Sequence, residues 1–111
     1  MRGVAAQRAK LFIGGHWVAG SATFPVVDKY SGAIIGEADR ASREQVGEAV
    51  SSARASFEST RLDPYERFRI LRRASELVES NRQTLARTIT AESGIPIADA
   101  LNEVSRTVQT F

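Results

Sequence analysis

The chain contains no cysteine. That removes disulfides, Cys-ligated zinc, iron–sulfur clusters, c-type haem and every thiol nucleophile in one step. A single histidine leaves no His pair for a metal and no second imidazole for a relay. No run approaches the ~20 apolar residues of a membrane-spanning helix. The glycines form no phosphate cradle. Gly14-Gly15 and Gly32 to Gly36 match neither a P-loop nor a G-x-G-x-x-G turn. No serine sits in a nucleophile elbow. Charge of one sign is also scarce: 15 basic residues against 13 acidic leave +2, too little to argue for nucleic acid.

What remains is ordinary globular composition. The chain has 111 residues, of which 42% are hydrophobic and 25% charged. That is one domain's worth of sequence, and it can fold with little margin. The basic set is skewed to thirteen arginines against two lysines. Residues 1–10 carry three positive charges, no acid and no apolar core, and read as a flexible terminus or, alternatively, a short mitochondrial presequence, rather than a secretory signal. The expected compartment is the cytoplasm.

From Leu11 the pattern is strands and turns. Gly14-Gly15 between Leu11-Phe12-Ile13 and His16-Trp17-Val18 is a two-residue hairpin signal, because both turn positions tolerate positive φ. Phe24 to Val27 is a third strand. Asp28 to Gly32 is turn chemistry, and Ile34-Ile35 opens a fourth strand that Gly36 and Asp39 weaken. The expected fold class is therefore α+β: an antiparallel meander, then about four amphipathic helices.

The period changes at Ala41. Ser42 and Gln45 fit a capping box. Val46, Ala49, Val50, Ala53 and Phe57 make one apolar face on a helix from Arg43 to about Ser59. Asp63-Pro64-Tyr65-Glu66 starts a second helix. Asn81 is expected to cap a third, which ends at Ser93-Gly94. Pro96 opens a fourth with Ile97, Leu101, Val104, Val108 and Phe111 on one face. That face still runs at Phe111 with no stop signal, so the pattern reads as a segment cut from a longer protein.

Few residues carry visible chemistry. His16 beside Trp17 reads as a solvated hairpin residue next to a core tryptophan. Arg67, Arg69, Arg72 and Arg73 share one helix but spread around it, interleaved with Glu66, Glu76 and Glu79. They form a solvated face with intrahelical pairs or, alternatively, the binding face of a stand-alone module or of a module that completes a partner. Glu92 lies at a helix C-terminus, where a carboxylate opposes the macrodipole, a placement that calls for a partner.

Several segments, in order, resemble the N-terminal region of the aldehyde dehydrogenase superfamily. They are Leu11 to Trp17, Phe24 to Gly32, Ala49 to Phe57, Arg67 with Ile70-Leu71, Glu92-Ser93-Gly94 with Pro96, and Asn102-Glu103-Val104. The resemblance covers residues 11–111. It departs at Asp28-Lys29, where the family usually has Asn-Pro, and at Ile95, where it usually has Lys. The resemblance implies part of an NAD- or NADP-dependent enzyme with a Rossmann-type α/β fold. In that family a cysteine thiolate attacks an aldehyde, hydride passes to the nicotinamide, and a glutamate-activated water releases the acid. Those groups match positions outside this chain, so no catalytic or cofactor-binding residue carries over. The resemblance also implies a homo-oligomer, a surface for the rest of the fold, and in some members a structural monovalent cation held near Val26, Val27 and Glu92.

Overall fold

A computed structural model describes residues 7–111. The described residues divide into two compact units, one spanning residues 7–27 and Ala33–Arg61, the other Asp28–Gly32 and Leu62–Phe111.

The first unit holds five strands and a helix. β1 (Gln7–Ala9) runs parallel to β5 (Ile34–Arg40), and β4 (Ala22–Val27) pairs antiparallel on the other side of β5. β2 (Leu11–Ile13) and β3 (His16–Val18) form a separate antiparallel hairpin. Gly14 and Gly15 turn it with φ of 59° and 83°, the left-handed pair that a type I′ turn requires. Two expectations are corrected here. The strands do not form one antiparallel meander. They make a hairpin and a mixed three-stranded sheet, because residues 7–9 add a parallel strand beside β5. For the same reason the flexible terminus does not extend to residue 10; residues 1–6 lie outside the described residues. β5 runs through Gly36 and Asp39, the two residues expected to weaken it, as far as Arg40.

Helix α1 (Arg43–Ser59) starts at the expected capping box, Ser42 with Gln45. Its half-buried positions are Gln45, Ala49 and Ser52, at i, i+4 and i+7, on the side that meets β2. The stronger apolar stripe is rotated about 100° from these. Val46, Val50 and Phe57 are 53%, 64% and 84% exposed, and α1 buries no residue fully.

The second unit is helical. α2 (Pro64–Ser80) begins with Asp63 capping and Pro64 at the first position, as expected. α3 (Arg82–Ser93) ends at Gly94 in the left-handed region, φ 80°. α4 (Ile97–Thr110) packs on both. Asn81 departs from expectation. Its side-chain amide donates to Leu77 O at 2.8 Å, so it closes α2 rather than capping α3. The core is Ala86, Ala100 and Val104, flanked by Val78, Ile89, Ile95 and Leu101. Two alanines at the α3–α4 contact let the helices approach closely. Ser75 Oγ donates to Val108 O at 2.9 Å and ties α2 to α4. The Asp28–Gly32 turn docks at the end of α3, where Lys29 N–H donates to Ala91 O at 3.2 Å. This satisfies one carbonyl that a helix end otherwise leaves open.

Candidate functional site

The densest polar arrangement in the first unit centres on Asp39. Its side chain is fully excluded from solvent. Arg8 donates through Nε to Oδ1 at 2.7 Å and through Nη2 to Oδ2 at 3.2 Å. Gly20 N–H donates to Oδ2 at 2.8 Å. The fork of an arginine matches a carboxylate in this way and lysine cannot reproduce it. These bonds hold the Asp39 carboxyl below the usual carboxylate range, the Arg8 bond first and Gly20 second. Reciprocally, the Asp39 bond raises the Arg8 guanidinium above its ordinary value. Gly20 is required there. A Cβ would collide with the Arg40 main chain, 3.0 Å from its nitrogen and its carbonyl carbon and nearer still to its oxygen. The sequence signal was present: an aspartate inside a strand must find a partner if its face is covered.

The residues singled out from sequence are more dispersed. His16 is exposed at the start of β3. Trp17 is not a core residue. It is 68% exposed and packs tilted on Phe12 with ring centroids 4.9 Å apart. A two-stranded hairpin has no second layer of its own to bury it.

On α2, Arg67 donates to Leu62 O at 2.7 Å, and Arg72 and Arg73 both reach Glu76 at 3.4 Å. An open groove of about 650 Å³ runs along this helix, lined by Leu62, Ile70, Arg69, Arg72, Arg73, Glu66 and Glu76. All of these are exposed, and Glu76 compensates two of the arginines. Exposed pairs of this kind contribute little to stability.

Val26 and Val27 are half-buried at the end of β4, where the ladder with β5 skips a residue: Val26 faces Gly36 and Val27 faces Ile34. They belong to the first unit. Glu92 is exposed in the last turn of α3, in the second unit. Among the described residues no cluster of three or more histidine, aspartate or glutamate side chains is placed to hold a metal ion. At the Asp28 turn, Oδ1 accepts from Ser31 N–H at 2.7 Å, Ser31 Oγ at 2.9 Å and Tyr30 N–H at 3.0 Å. The Ser31 bonds lead in lowering the Asp28 carboxyl. Glu44, in the first turn of α1, is lowered by its own main-chain N–H and by Ser42. These are turn and cap bonds rather than catalytic ones.

The arrangement therefore offers apolar faces and structural ties. Large hydrophobic side chains stand exposed on every helix, including Phe57 on α1, Phe68 and Ile70 on α2, Leu85 on α3 and Ile97 on α4. Isolated exposed apolar residues are normal, but recurrence along helix faces marks surfaces built to be covered.

Residues 17–111 match the aldehyde dehydrogenase family. The chain belongs to that family. It is 40% identical over 102 residues to the mitochondrial succinate-semialdehyde dehydrogenase of Homo sapiens, covering 87% of this chain and 18% of that protein. It is 40% identical over 99 residues to the D-glyceraldehyde dehydrogenase (NADP(+)) of Thermoplasma acidophilum, covering 86% of this chain and 20% of that one. Among solved structures it resembles aldehyde dehydrogenase 21 from Physcomitrella patens, in complex with the reaction product succinate. The TM-score is 0.90 at 28% identity, over 96% of this chain and 23% of that one. An NAD-dependent aldehyde dehydrogenase from Sinorhizobium meliloti gives 0.85 at 28% identity, over 93% and 22%. The chain thus spans about a fifth of the length of the relatives it matches. The described residues form an α+β arrangement of short strands and four helices. No helix among the described residues is long and apolar enough to cross a membrane.

Proposed function

We propose that this chain is the N-terminal part of an NAD- or NADP-dependent aldehyde dehydrogenase that oxidises an aldehyde to a carboxylic acid, and that these 111 residues do not catalyse the reaction by themselves. The match over residues 17–111, spanning about a fifth of each relative, carries this reading. The missing cysteine supports it, because the family's thiol nucleophile must then come from elsewhere. In this reading the exposed faces of α1, α2 and α4 pack against the rest of the fold, which supplies nucleophile, base and cofactor site. The complete protein is a cytoplasmic homo-oligomer.

The experiment is a paired assay. The 111-residue chain is purified alone, and the natural protein that carries it is purified from its source. Aldehyde-dependent reduction of NAD or NADP is expected in the natural protein, abolished by a thiol-alkylating reagent, and absent from the isolated chain. Aldehyde oxidation by the isolated chain, which has no thiol, overturns the reading.

The structural Na⁺ or K⁺ that the family resemblance implies near Val26, Val27 and Glu92 belongs to the same proposal. Hard oxygen donors suit such an ion, and Glu92 has no ion-pair partner among the described residues. Glu92→Ala is expected to abolish the difference in thermal midpoint between Na⁺ and K⁺ buffers; an unchanged difference removes the ion from the proposal.

A further inference from the structure

Asp39 does more than pair with one arginine. The two groups that converge on it lie on opposite sides of one hairpin in sequence. Arg8 stands three positions before β2 begins at Leu11, and Gly20 stands two positions after β3 ends at Val18. A single solvent-excluded carboxylate therefore holds both stems of the β2–β3 hairpin.

The segment before the hairpin has little else to hold it. β1 is three residues long, lies at the edge of its sheet, and is joined to β2 through Lys10 alone. Strands so short are marginal by their ladder bonds. Residues 7–13 are thus one extended stretch that changes partner at Lys10, from β5 to β3. Arg8 faces Glu37 across the ladder, yet its guanidinium reaches along β5 to Asp39.

We propose that Asp39 is the latch of a flap: by gripping Arg8 and Gly20 it fastens β1 and the β2–β3 hairpin as one body, and loss of the grip opens both together while β4, β5 and α1 stay folded. Asp39→Asn removes the charge and turns one of the two acceptor oxygens into an NH2 donor, so the one oxygen left cannot serve both arms of the Arg8 fork and the Gly20 N–H as the carboxylate does. The body that moves carries the exposed Phe12–Trp17 pair, so the latch sets where those two rings are held.

There is a rival tie. Gln45 Nε2 on α1 donates to Ala19 O at 2.8 Å, and the hairpin turn at Gly14 lies close to Ser52 Oγ. If α1 alone seated the hairpin, Asp39 would matter only to β1. Hydrogen exchange read by mass spectrometry, on the purified natural protein that carries this chain, separates the two. Asp39→Asn is expected to raise exchange in residues 7–9 and 11–18 together, by roughly tenfold or more, with β4, α1 and the β4-paired amides of β5 within about twofold of wild type. Arg8→Gln should raise the same two segments by less, since the Gly20 bond survives. Gln45→Ala should leave 11–18 within about twofold of wild type. Faster exchange in 7–9 alone, or an effect of Gln45→Ala on 11–18 equal to that of Asp39→Asn, overturns the latch. Should Asp39→Asn fail to fold, Arg8→Gln decides: a joint rise supports the latch and a rise confined to 7–9 overturns it.

Discussion

Gly20→Ala tests the packing around Asp39 by steric means alone, with every charge unchanged. Gly20 is not in the left-handed region, so alanine fits its backbone conformation. What alanine lacks is room. Its Cβ would press on the main chain of Arg40, with the nitrogen and carbonyl carbon 3.0 Å away and the oxygen closer. Backbone cannot rotate aside as a side chain can. Relief therefore requires separating residues 19–21 from β5, and three bonds cross that seam, one of them from Ser21 Oγ to Arg40 O at 3.2 Å. Gly20 N–H donates to Asp39 at 2.8 Å, and Ser21 N–H donates to Arg40 O at 2.9 Å. Overpacking of this kind costs about 1–3 kcal/mol, and each weakened hydrogen bond adds about 1 kcal/mol. The expected loss is at least about 3 kcal/mol, or at least on the order of a hundredfold in the protection of β4 and β5 amides against exchange. Gly47→Ala is the control. Gly47 lies inside α1 with nothing within 4 Å of the added Cβ. A glycine-to-alanine change in an open helix interior stabilises by about 0.5–1 kcal/mol. Exchange in α1 should therefore slow by a few fold. A Gly20→Ala protein whose β4–β5 protection stays within about threefold of wild type would refute the steric argument.

Three further outcomes are expected. The Asp39 and Asp28 carboxyls are both held below their usual value of 3.8, so the stability they contribute is complete above that value and is lost as pH falls through their lowered folded values. Urea midpoints measured across the acid range should fall less steeply in Asp39→Asn than in wild type below about pH 4; parallel acid limbs would contradict this. Val104, 2% exposed between Ala86 and Ala100, should lose roughly 1–3 kcal/mol on Val104→Ala, read as faster exchange in α3 and α4, whereas Val50→Ala on the exposed stripe of α1 should leave exchange in α1 no faster than wild type. The Thr90 hydroxyl is buried without a hydrogen-bond partner among the described residues, so Thr90→Val should stabilise α3 by about 1 kcal/mol, and a lower thermal midpoint would contradict the assignment.

Local signals were well read from the sequence. The Ser42–Gln45 and Asp63–Glu66 boxes and the left-handed Gly94 appear where their chemistry places them, because each is decided within four residues. The Gly14-Gly15 turn is local for the same reason. Long-range pairing was not legible. Nothing in residues 1–10 declares that Gln7–Ala9 adds a parallel strand to β5, and Arg8 looks like any basic terminal residue until Asp39, 31 positions away, receives it. Asn81 shows the limit of local reading. It fits the end of α2 as well as the start of α3, and its amide serves α2.

The helix faces carry the deeper lesson. Periodicity places the apolar stripe of α1 at Val46, Ala49, Val50, Ala53 and Phe57; of these only Ala49 is half-buried, on the edge it shares with Gln45 and Ser52, while Val46, Val50, Ala53 and Phe57 stay exposed. The two observations agree once the stripe and the half-buried edge are treated as overlapping at Ala49, with Val46 and Val50 each about 100° round the helix from that edge. A smaller, more polar edge suffices beside a two-stranded hairpin, which offers little apolar area in return. The larger stripe requires a larger partner, and none of the described strands of its unit provides one. The same division recurs on α4, where Ala100 and Val104 meet the other helices while Ile97 stays 44% exposed. Apolar side chains of that size are costly to leave in water, at about 1.5–3 kcal/mol for each full burial forgone. Under the proposed function, in a chain spanning about a fifth of its relatives' length, these are the surfaces that would pack against the rest of an aldehyde dehydrogenase fold.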